Sequence, residues 1–182
     1  MFTIAQETPD DWWEVESLYD LCFAPGREAL SSYRLRDDVP PIAGLSLVAR
    51  GTDGSIAGAI RHWPVRICTE DGICNRSLLL GPVAGLLLGP VAVHPTHQGE
   101  GLGGLLIYQT LGGARALGWE RVMLVGDAPY YNRFGFQKLE GVLMPPPTNP
   151  DRVLGVALKP NAWAGVRGQV SRWSPDMALP QN

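Results

Sequence analysis

The 182-residue chain is 45% hydrophobic and 18% charged, a composition that is typical of one globular domain and excludes a disordered chain. The formal net charge is −3 and the 15 basic residues are scattered, which argues against a nucleic-acid-binding surface. The sequence shows no signal peptide, and Cys22, Cys68 and Cys74 lack the spacing of metal ligands. We therefore expect a cytoplasmic protein with reduced thiols and no metal.

The first part of the chain is predicted to alternate strands with helices. A short strand is expected from Phe2 to Glu7. Thr8–Asp11 then begins a helix, because it offers a cap residue, a proline and acidic residues in the first turn. The apolar face of this helix is expected to pack in the core, and its residues are Trp12, Val15, Leu18, Tyr19 and Cys22. A weaker helix is expected from Arg27 to Arg36.

Two further strands are predicted at Leu45–Arg50 and Ser55–Ile67, because Asp53-Gly54 between them is a strong signal for a tight hairpin. Glu70–Gly72 is predicted to form the next turn.

The segment from Leu78 to Val93 carries no charge. It is shorter than the about 20 apolar residues of a membrane helix, and glycines and prolines interrupt it, so a buried strand is the better prediction. It contains a repeat, since Leu78–Ala84 recurs unchanged as Leu86–Ala92. We expect the second copy to be the functional strand, and the first copy can add a strand, a bulge or a loop.

In the C-terminal part a helix is predicted from Leu102 to Leu117, ended by Gly118. The remaining predicted elements are a buried strand at Arg121–Val125, a short helix at Pro129–Phe134, a strand from Phe136 to about Leu143, a loop at Met144–Pro150, a strand at Arg152–Leu158 and a last strand around Gly168–Trp173. No shift in composition divides the chain. We expect one domain over residues 1–182, with a core at about 1–160 and a tail at 161–182.

The turn between the strand at Gly89–Val93 and the following helix carries the chemistry. Glycines at 99, 101, 103 and 104 open that helix. The first amides of a helix have no internal partner, its dipole favours negative charge, and glycine lets a phosphate approach closely. The sequence therefore predicts a pyrophosphate-binding turn at Gln98–Gly104. The alternative is a glycine-rich turn without a ligand.

Other phosphate motifs must be weighed against this prediction. No Lys-Ser or Lys-Thr follows the glycines, so the turn is not a P-loop. Gly99–Gly104 does satisfy G-x-G-x-x-G, and Asp127 lies near the distance of a ribose ligand, so an NAD(P)-dependent oxidoreductase is a competing hypothesis. Against it, five residues separate the strand from Gly99, and only one strand–helix–strand crossover is visible.

Two motifs resemble the GCN5-related N-acetyltransferase (GNAT) family. Val91–Gly103 matches the family's strand, proline and Q/R-x-x-G-x-G/A, and Tyr131–Phe136 matches Y-x-x-x-G-F. Gly126–Phe136 is similar to a bacterial branch with G-D-x-P-Y-Y-x-R-F-G-F. The resemblance covers most of residues 1–160. It implies an α/β fold with a mixed twisted sheet, helices on both faces and splayed central strands, with a cofactor cleft between the strands at Val91 and Val122.

The resemblance also implies acetyl-coenzyme A (acetyl-CoA) as the donor. Its pyrophosphate would be bound by Gln98, Gly99, Glu100, Gly101, Leu102, Gly103 and Gly104, and its pantetheine arm by the backbone of Val91, Ala92 and Val93. Pro90 fits such an open strand independently, since proline has no N–H for a closed ladder. An amide near Val91 would polarise the thioester carbonyl.

Tyr131 matches the family position that protonates the departing thiolate, and the alternative is that it only packs against the cofactor. Tyr130 is the second candidate. Many relatives carry a cofactor-binding Asn shortly before this tyrosine, but Gly126–Pro129 stands there, so no such contact is expected. Asp127 is predicted to cap the following helix, and binding of substrate is the alternative.

The general base is open among His62, His94, Glu28, Asp127 and a water molecule, and the cysteines are expected to be passive. The predicted function is transfer of an acetyl group to an amine by direct attack, and a non-catalytic acyl-CoA sensor is a further alternative. The acceptor is expected to be a small-molecule or peptide amine bound near Cys22–Pro41. We expect a monomer or homodimer that binds neither nucleic acid nor membrane.

Overall fold

The structure is a computed structural model that describes residues 1–23, 26–68 and 83–174. Within these ranges nine strands form one mixed sheet with helices packed on it. The strands are β1 (Thr3–Gln6), β2 (Leu47–Arg50), β3 (Ile56–Cys68), β4 (Val83–Val93), β5 (Arg121–Val125), β6 (Gln137–Lys138), β7 (Val142–Leu143), β8 (Val153–Ala157) and β9 (Gly168–Arg172), and the helices are α1 (Trp12–Phe23), α2 (Ser31–Arg34), α3 (Leu102–Ala116) and α4 (Ala128–Tyr131).

The sheet runs in the order β1-β2-β3-β4-β5-β8-β6, and β9 joins it by pairing with both β3 and β7. Among the described strands, only the β4–β5 and β7–β9 pairs are parallel. The strand predicted at Arg121–Val125 therefore lies near the middle of the sheet, and its bounds are confirmed.

The central strands β4 and β5 separate soon after they meet. Their pairing consists of Leu86 with Val122 and Leu87 with Met123, whereas β4 continues to Val93 along β3. A bulge interrupts β4 at Gly89-Pro90, opposite one residue of β3. Proline has no N–H to give to a ladder, so it suits this position. The predicted splay of the central strands is confirmed.

Helices cover both faces of the sheet, as predicted. Leu106 and Ile107 of α3 pack in one core cluster, together with Leu47 and Ala49 of β2. Val48, which lies between those two residues in the strand, packs on the opposite face in a cluster with α1. Successive side chains of a strand alternate between faces, so one strand can serve two helices.

The helix start predicted at Thr8–Asp11 is confirmed. The Thr8 amide and hydroxyl both donate to the Asp11 carboxylate, at 2.7 and 2.8 Å. The buried face of α1 is narrower than predicted. Trp12 is 50% exposed and Cys22 is half-buried, whereas the side chains that form the stripe are Val15, Leu18 and Tyr19.

Two predicted elements are wrong in extent. The strand predicted from Phe136 to Leu143 is two short strands, β6 and β7, because the chain turns at Gly141 with a φ of +78°. The helix predicted over Arg27–Arg36 is divided by Leu30, whose backbone is extended, into a single 3-10 turn and α2.

The cysteines are not all reduced. Cys22 is a free thiol, but Cys68 at the end of β3 is disulfide-bonded, so the expectation of reduced thiols is wrong there. Cys74, the turn predicted at Glu70–Gly72 and most of the first repeat copy lie outside the described residues. The end of that copy, Val83 and Ala84, begins β4, which also contains the whole second copy. No helix of the described ranges is long and apolar enough to cross a membrane.

The packing of α3 on the sheet predicts a contrast between two neighbouring leucines. Leu106 is fully buried, whereas Leu105 is 52% exposed. Leu106→Ala is expected to lower the free energy of unfolding by about 2–5 kcal/mol, because it leaves a cavity in the core. Leu105→Ala should change it by less than about 0.5 kcal/mol. Urea unfolding of the two variants and the parent measures both values, and equal losses would contradict this packing.

Candidate active site

The glycine turn before α3 presents a row of free amide donors. Gly99 and Gly101 have φ values of +88° and +79°, and a Cβ added to either would meet no atom within 4 Å, so backbone conformation rather than packing requires glycine here. The first helical bond of α3 runs from the Leu105 amide to the Gly101 carbonyl. No carbonyl in the described part of the chain accepts from the amides between Gly99 and Gly104. These donors lie at the positive end of the α3 dipole.

A first cavity of 630 Å³ opens over these amides. It is lined by Val93, His97, Gln98, Gly99, Gly101, Leu102, Gly103, Gly104, Leu105, Tyr108, Tyr130, Arg133 and Phe134. The Arg133 guanidinium lies over the Tyr130 ring, 4.1 Å from its centroid, and brings a cation to the wall of this cavity. Arg133 and Tyr108 are not among the residues predicted from the sequence, although Arg133 stands inside the Tyr131–Phe136 motif.

Side chains hold the turn in shape. The Gln98 side-chain amide donates to the Val93 carbonyl at 3.2 Å, and the His97 ring lies 3.3 Å from the Glu100 carboxylate. Of the residues predicted to bind cofactor, Glu100 and Ala92 line none of the three cavities described here, and Ala92 is buried.

A second cavity of 130 Å³ lies where β4 and β5 separate. It is lined by Phe23, Leu30, Ser32, Tyr33, Arg36, Leu87, Leu88, Gly89, Pro90, Val91, Leu124, Val125 and Tyr131. Val91 lines this second cavity and Val93 lines the first cavity, so β4 borders both cavities. The structure therefore brings Tyr131, Val91 and the bulge together in one cleft.

Tyr131 is held in the second cavity by close packing. A Cβ on Gly126 would lie 2.4 Å from Cε2 of the Tyr131 ring, so only glycine at 126 allows this ring position. Burial raises the pKa of the Tyr131 phenol to about 12, and the neighbouring Tyr130 and Asp127 add to the rise. The phenol therefore keeps its proton at neutral pH.

A third cavity of 420 Å³ adjoins the second, and the two share Tyr33, Arg36 and Pro90. It is lined by Trp12, Glu16, Arg27, Glu28, Tyr33, Arg36, Asp37, Val39, Pro41, Arg61, Trp63 and Pro90. Much of this wall comes from the segment predicted to bind the acceptor, around Cys22–Pro41. No sequence motif singled out Arg36, Arg61 or Glu16.

The base candidates are widely separated. His62 is fully buried, its Nδ1 lies 3.2 Å from the Leu45 carbonyl, and neither it nor His94 lines any of the three cavities. Glu28 lines the third cavity. The Asp127 carboxylate pairs with Arg152 at 3.2 Å and makes no capping bond, so the predicted side-chain cap is wrong.

The sequence profile of the acetyltransferase (GNAT) family matches residues 12–136, which is more than half of the chain. The chain belongs to the GNAT family. The expected activity, N-acetyl transfer from acetyl-CoA, is thereby confirmed at the level of the family. The competing dinucleotide hypothesis is not favoured, and the GNAT assignment also makes the protein an enzyme rather than a sensor.

Individual GNAT relatives agree. "Uncharacterized N-acetyltransferase YhbS" of Escherichia coli K12 is 29% identical over 134 residues, 74% of this chain and 72% of the relative. "Uncharacterized N-acetyltransferase YjhQ" of the same strain is 30% identical over 140 residues, which are 77% of this chain and 72% of the relative. Both alignments span more than two thirds of each protein.

Solved GNAT structures resemble most of the chain. The structure of Escherichia coli YhbS in complex with CoA has a TM-score of 0.76 at 26% identity and covers 94% of this chain and 89% of that one. A GNAT acetyltransferase from Brucella melitensis in complex with acetyl-CoA has a TM-score of 0.66 at 28% identity. It covers 96% of this chain and 97% of that one. These likenesses confirm the predicted mixed α/β fold. No group of three or more His, Cys, Asp or Glu in the described ranges could hold a metal ion.

The burial of His62 predicts a pH dependence of stability. Burial lowers the pKa of this ring to about 4, below the about 6.5 of an unfolded chain. Between these values the unfolded chain binds a proton that the folded protein does not, so His62 costs stability as the pH falls from about 6.5 to 4.

His62→Leu should therefore make the free energy of unfolding less steep over this interval, with the gap between variant and parent changing by more than about 1 kcal/mol. Urea unfolding at pH 4.5 to 7.5 measures it, with His94→Leu in the surface turn as the control. Parallel curves for His62→Leu and the parent would rule out the buried neutral ring.

Proposed function

We propose that residues 1–182 form a single N-acetyltransferase domain that transfers an acetyl group from acetyl-CoA to a small-molecule or peptide amine. The observation that carries the proposal is the row of unpartnered amides from Gly99 to Gly104, opening on the first cavity beside the splayed end of β4. The complexes of the YhbS and Brucella structures with CoA and acetyl-CoA support the same ligand for this chain.

The pyrophosphate is bound by the main chain of Gln98, Gly99, Glu100, Gly101, Leu102, Gly103 and Gly104. Amides at a helix N-terminus suit a doubly charged group and need no basic side chain. The absence of the Glu100 side chain from the cavity wall is compatible with this role, because its carboxylate would repel the phosphates whereas its amide attracts them.

The pantetheine arm lies along β4 at Val91, Ala92 and Val93, where the strand has left β5. The Val93 carbonyl accepts from the Gln98 side chain and from the Cys22 thiol, at 3.2 and 3.4 Å. An amide of the arm would share or replace these donors. Burial raises the pKa of the Cys22 thiol, so it is a poor nucleophile and stays a passive part of the wall.

The reaction is direct attack of the neutral amine on the thioester carbon in the second cavity. The C–N bond forms, the C–S bond breaks, and the Tyr131 hydroxyl gives its proton to the departing thiolate. The proton that the amine nitrogen loses passes to water and restores the Tyr131 hydroxyl. The Val91 amide stabilises the oxyanion. Burial raises the pKa of the Tyr131 phenol, and the same dry cleft also disfavours a free thiolate, so the two groups remain matched for proton transfer.

The pyrophosphate site predicts that a side chain at 103 blocks the donor. A Cβ on Gly103 would lie 3.1 Å from the Tyr130 hydroxyl and 3.4 Å from Val93, in the wall of the first cavity. Gly103→Val is therefore expected to raise the Kd for acetyl-CoA at least about tenfold, or about 1.4 kcal/mol. Titration calorimetry measures it. Gly112→Val is the matched control in the same helix, since a Cβ there meets no atom within 4 Å. Unchanged affinity for Gly103→Val would refute this site.

The role of Tyr131 predicts a loss of turnover without a loss of binding. Tyr131→Phe should lower kcat by about 10²–10⁴, because general acid catalysis is lost, and should change the Kd for acetyl-CoA by less than about threefold. Thiol release with a panel of amines measures kcat. Tyr130→Phe is the control, as its ring lines the first cavity instead. A full rate for Tyr131→Phe, or a greater loss for Tyr130→Phe, would overturn the assignment.

A further inference from the structure

One arginine in the wall of the third cavity pairs with no anion among the described residues. The Arg36 guanidinium lies 4.0 Å from the centroid of the Tyr33 ring and 4.7 Å from that of Trp63. Its Nε and Nη1 atoms are buried and have no hydrogen-bond partner in the described part of the chain. The Trp63 indole is itself fixed by a 3.0 Å bond to the Val39 carbonyl. Buried nitrogens of a cation without a partner are costly, and a bound ligand is one explanation for them.

The other two arginines of this cavity are already neutralised. Arg61 donates to Glu7 and to Glu16, with both ion pairs at 2.6 Å. Arg27 pairs with the same Glu16 and with Asp20. Glu16 is thus shared between two guanidinium groups and leaves no carboxylate for Arg36.

Arg36 also stands where the acceptor must meet the donor. It lines both the second and the third cavities. Its Nη2 lies 3.9 Å from the position that a Cβ on Gly89 would take, in the bulge of β4. An anion held there lies beside the proposed thioester, so an amine a few bonds away from that anion reaches the reacting carbon.

The rim of the third cavity selects the kind of anion. The carboxylates of Glu28 and Asp37 line it, and neither makes an ion pair with any described residue. They repel a doubly charged phosphate more strongly than a singly charged carboxylate. A planar carboxylate also matches a guanidinium well. The volume of 420 Å³ lies within the about 300–1,000 Å³ of small-molecule sites.

We propose that the acetyl acceptor is a small amino-carboxylic acid bound in the third cavity, with its carboxylate on Arg36 and its amine directed into the second cavity. The proposal rests on the proposed function for the place of the thioester. Acetylation then forms the amide bond at that amine, and the carboxylate remains on Arg36 throughout.

The first test compares substrates on the unaltered enzyme. Each of a set of α-, β- and γ-amino acids is assayed beside its carboxamide, its decarboxylated amine and its phosphonate analogue, by thiol release from acetyl-CoA. We expect kcat/KM for at least one amino acid to exceed that of all three counterparts about tenfold or more.

Three outcomes would overturn this inference alone. They are equal use of a neutral counterpart, a preference for the phosphonate, and a failure to acetylate any amino acid although acetyl-CoA binds in calorimetry. If acetyl-CoA does not bind, the proposed function fails and the inference fails with it.

The second test removes the guanidinium. Arg36→Met should raise KM for the preferred amino acid at least about tenfold and leave KM for its carboxamide and the Kd for acetyl-CoA nearly unchanged. Arg36→Lys should restore part of the loss, because it keeps the charge. Arg34→Met is the control, since this exposed arginine of α2 donates to the Pro146 carbonyl outside the cavity.

An equal loss of kcat for the acid and the carboxamide would mean that Arg36 acts on the reacting thioester instead, and would overturn the inference. If Arg36→Met does not fold, Arg36→Lys decides the matter with the same pairs of acid and carboxamide. A smaller preference for the acid than in the parent implicates the guanidinium, and an unchanged preference overturns the inference.

Discussion

The separation of β4 from β5 after Leu87 is the constraint on which the site depends. Parallel pairing at Leu86 and Leu87 fixes the two strands in register, and the bulge at Gly89-Pro90 then turns β4 along β3 alone. The open edge gives each cavity one wall: Val93 borders the first, Val91 the second and Pro90 the second and third. A continuous ladder between β4 and β5 would close this cleft, since its backbone groups would be paired.

Charge is distributed unequally on the two sides of this cleft. On the α3 side, the positive potential comes from main-chain amides and the helix dipole, so a protein of net charge −3 can still bind a diphosphate. On the α1 side, side chains dominate, and Glu16 ties Arg27 to Arg61 in one buried network. Removing one member would leave a buried charge unpaired, so this network fixes the wall around Arg36.

Local signals explain which parts of the fold could be predicted from the sequence. The Thr8 cap, the end of α3 at Gly118 and the buried strand at Arg121–Val125 follow from neighbouring residues, and the structure agrees. Long-range contacts explain the errors. The turn at Gly141 serves the pairing of β6 with β8 and of β7 with β9, and neither partner strand is adjacent in the chain.

The same distinction applies to the two halves of the reaction. The proposed donor site uses backbone amides and glycines, which leave a spacing pattern that sequence can reveal. The proposed acceptor site uses side chains from α1, α2, β3 and the loops between them, brought together only by folding. Arg36 and Trp63 stand far apart in the chain, and neither belongs to a motif. In the fold, the Arg36 guanidinium stacks on the Trp63 ring in one wall. Acceptor specificity can therefore change by substitution in α1 and α2 while the donor cradle, which depends on backbone shape, stays intact.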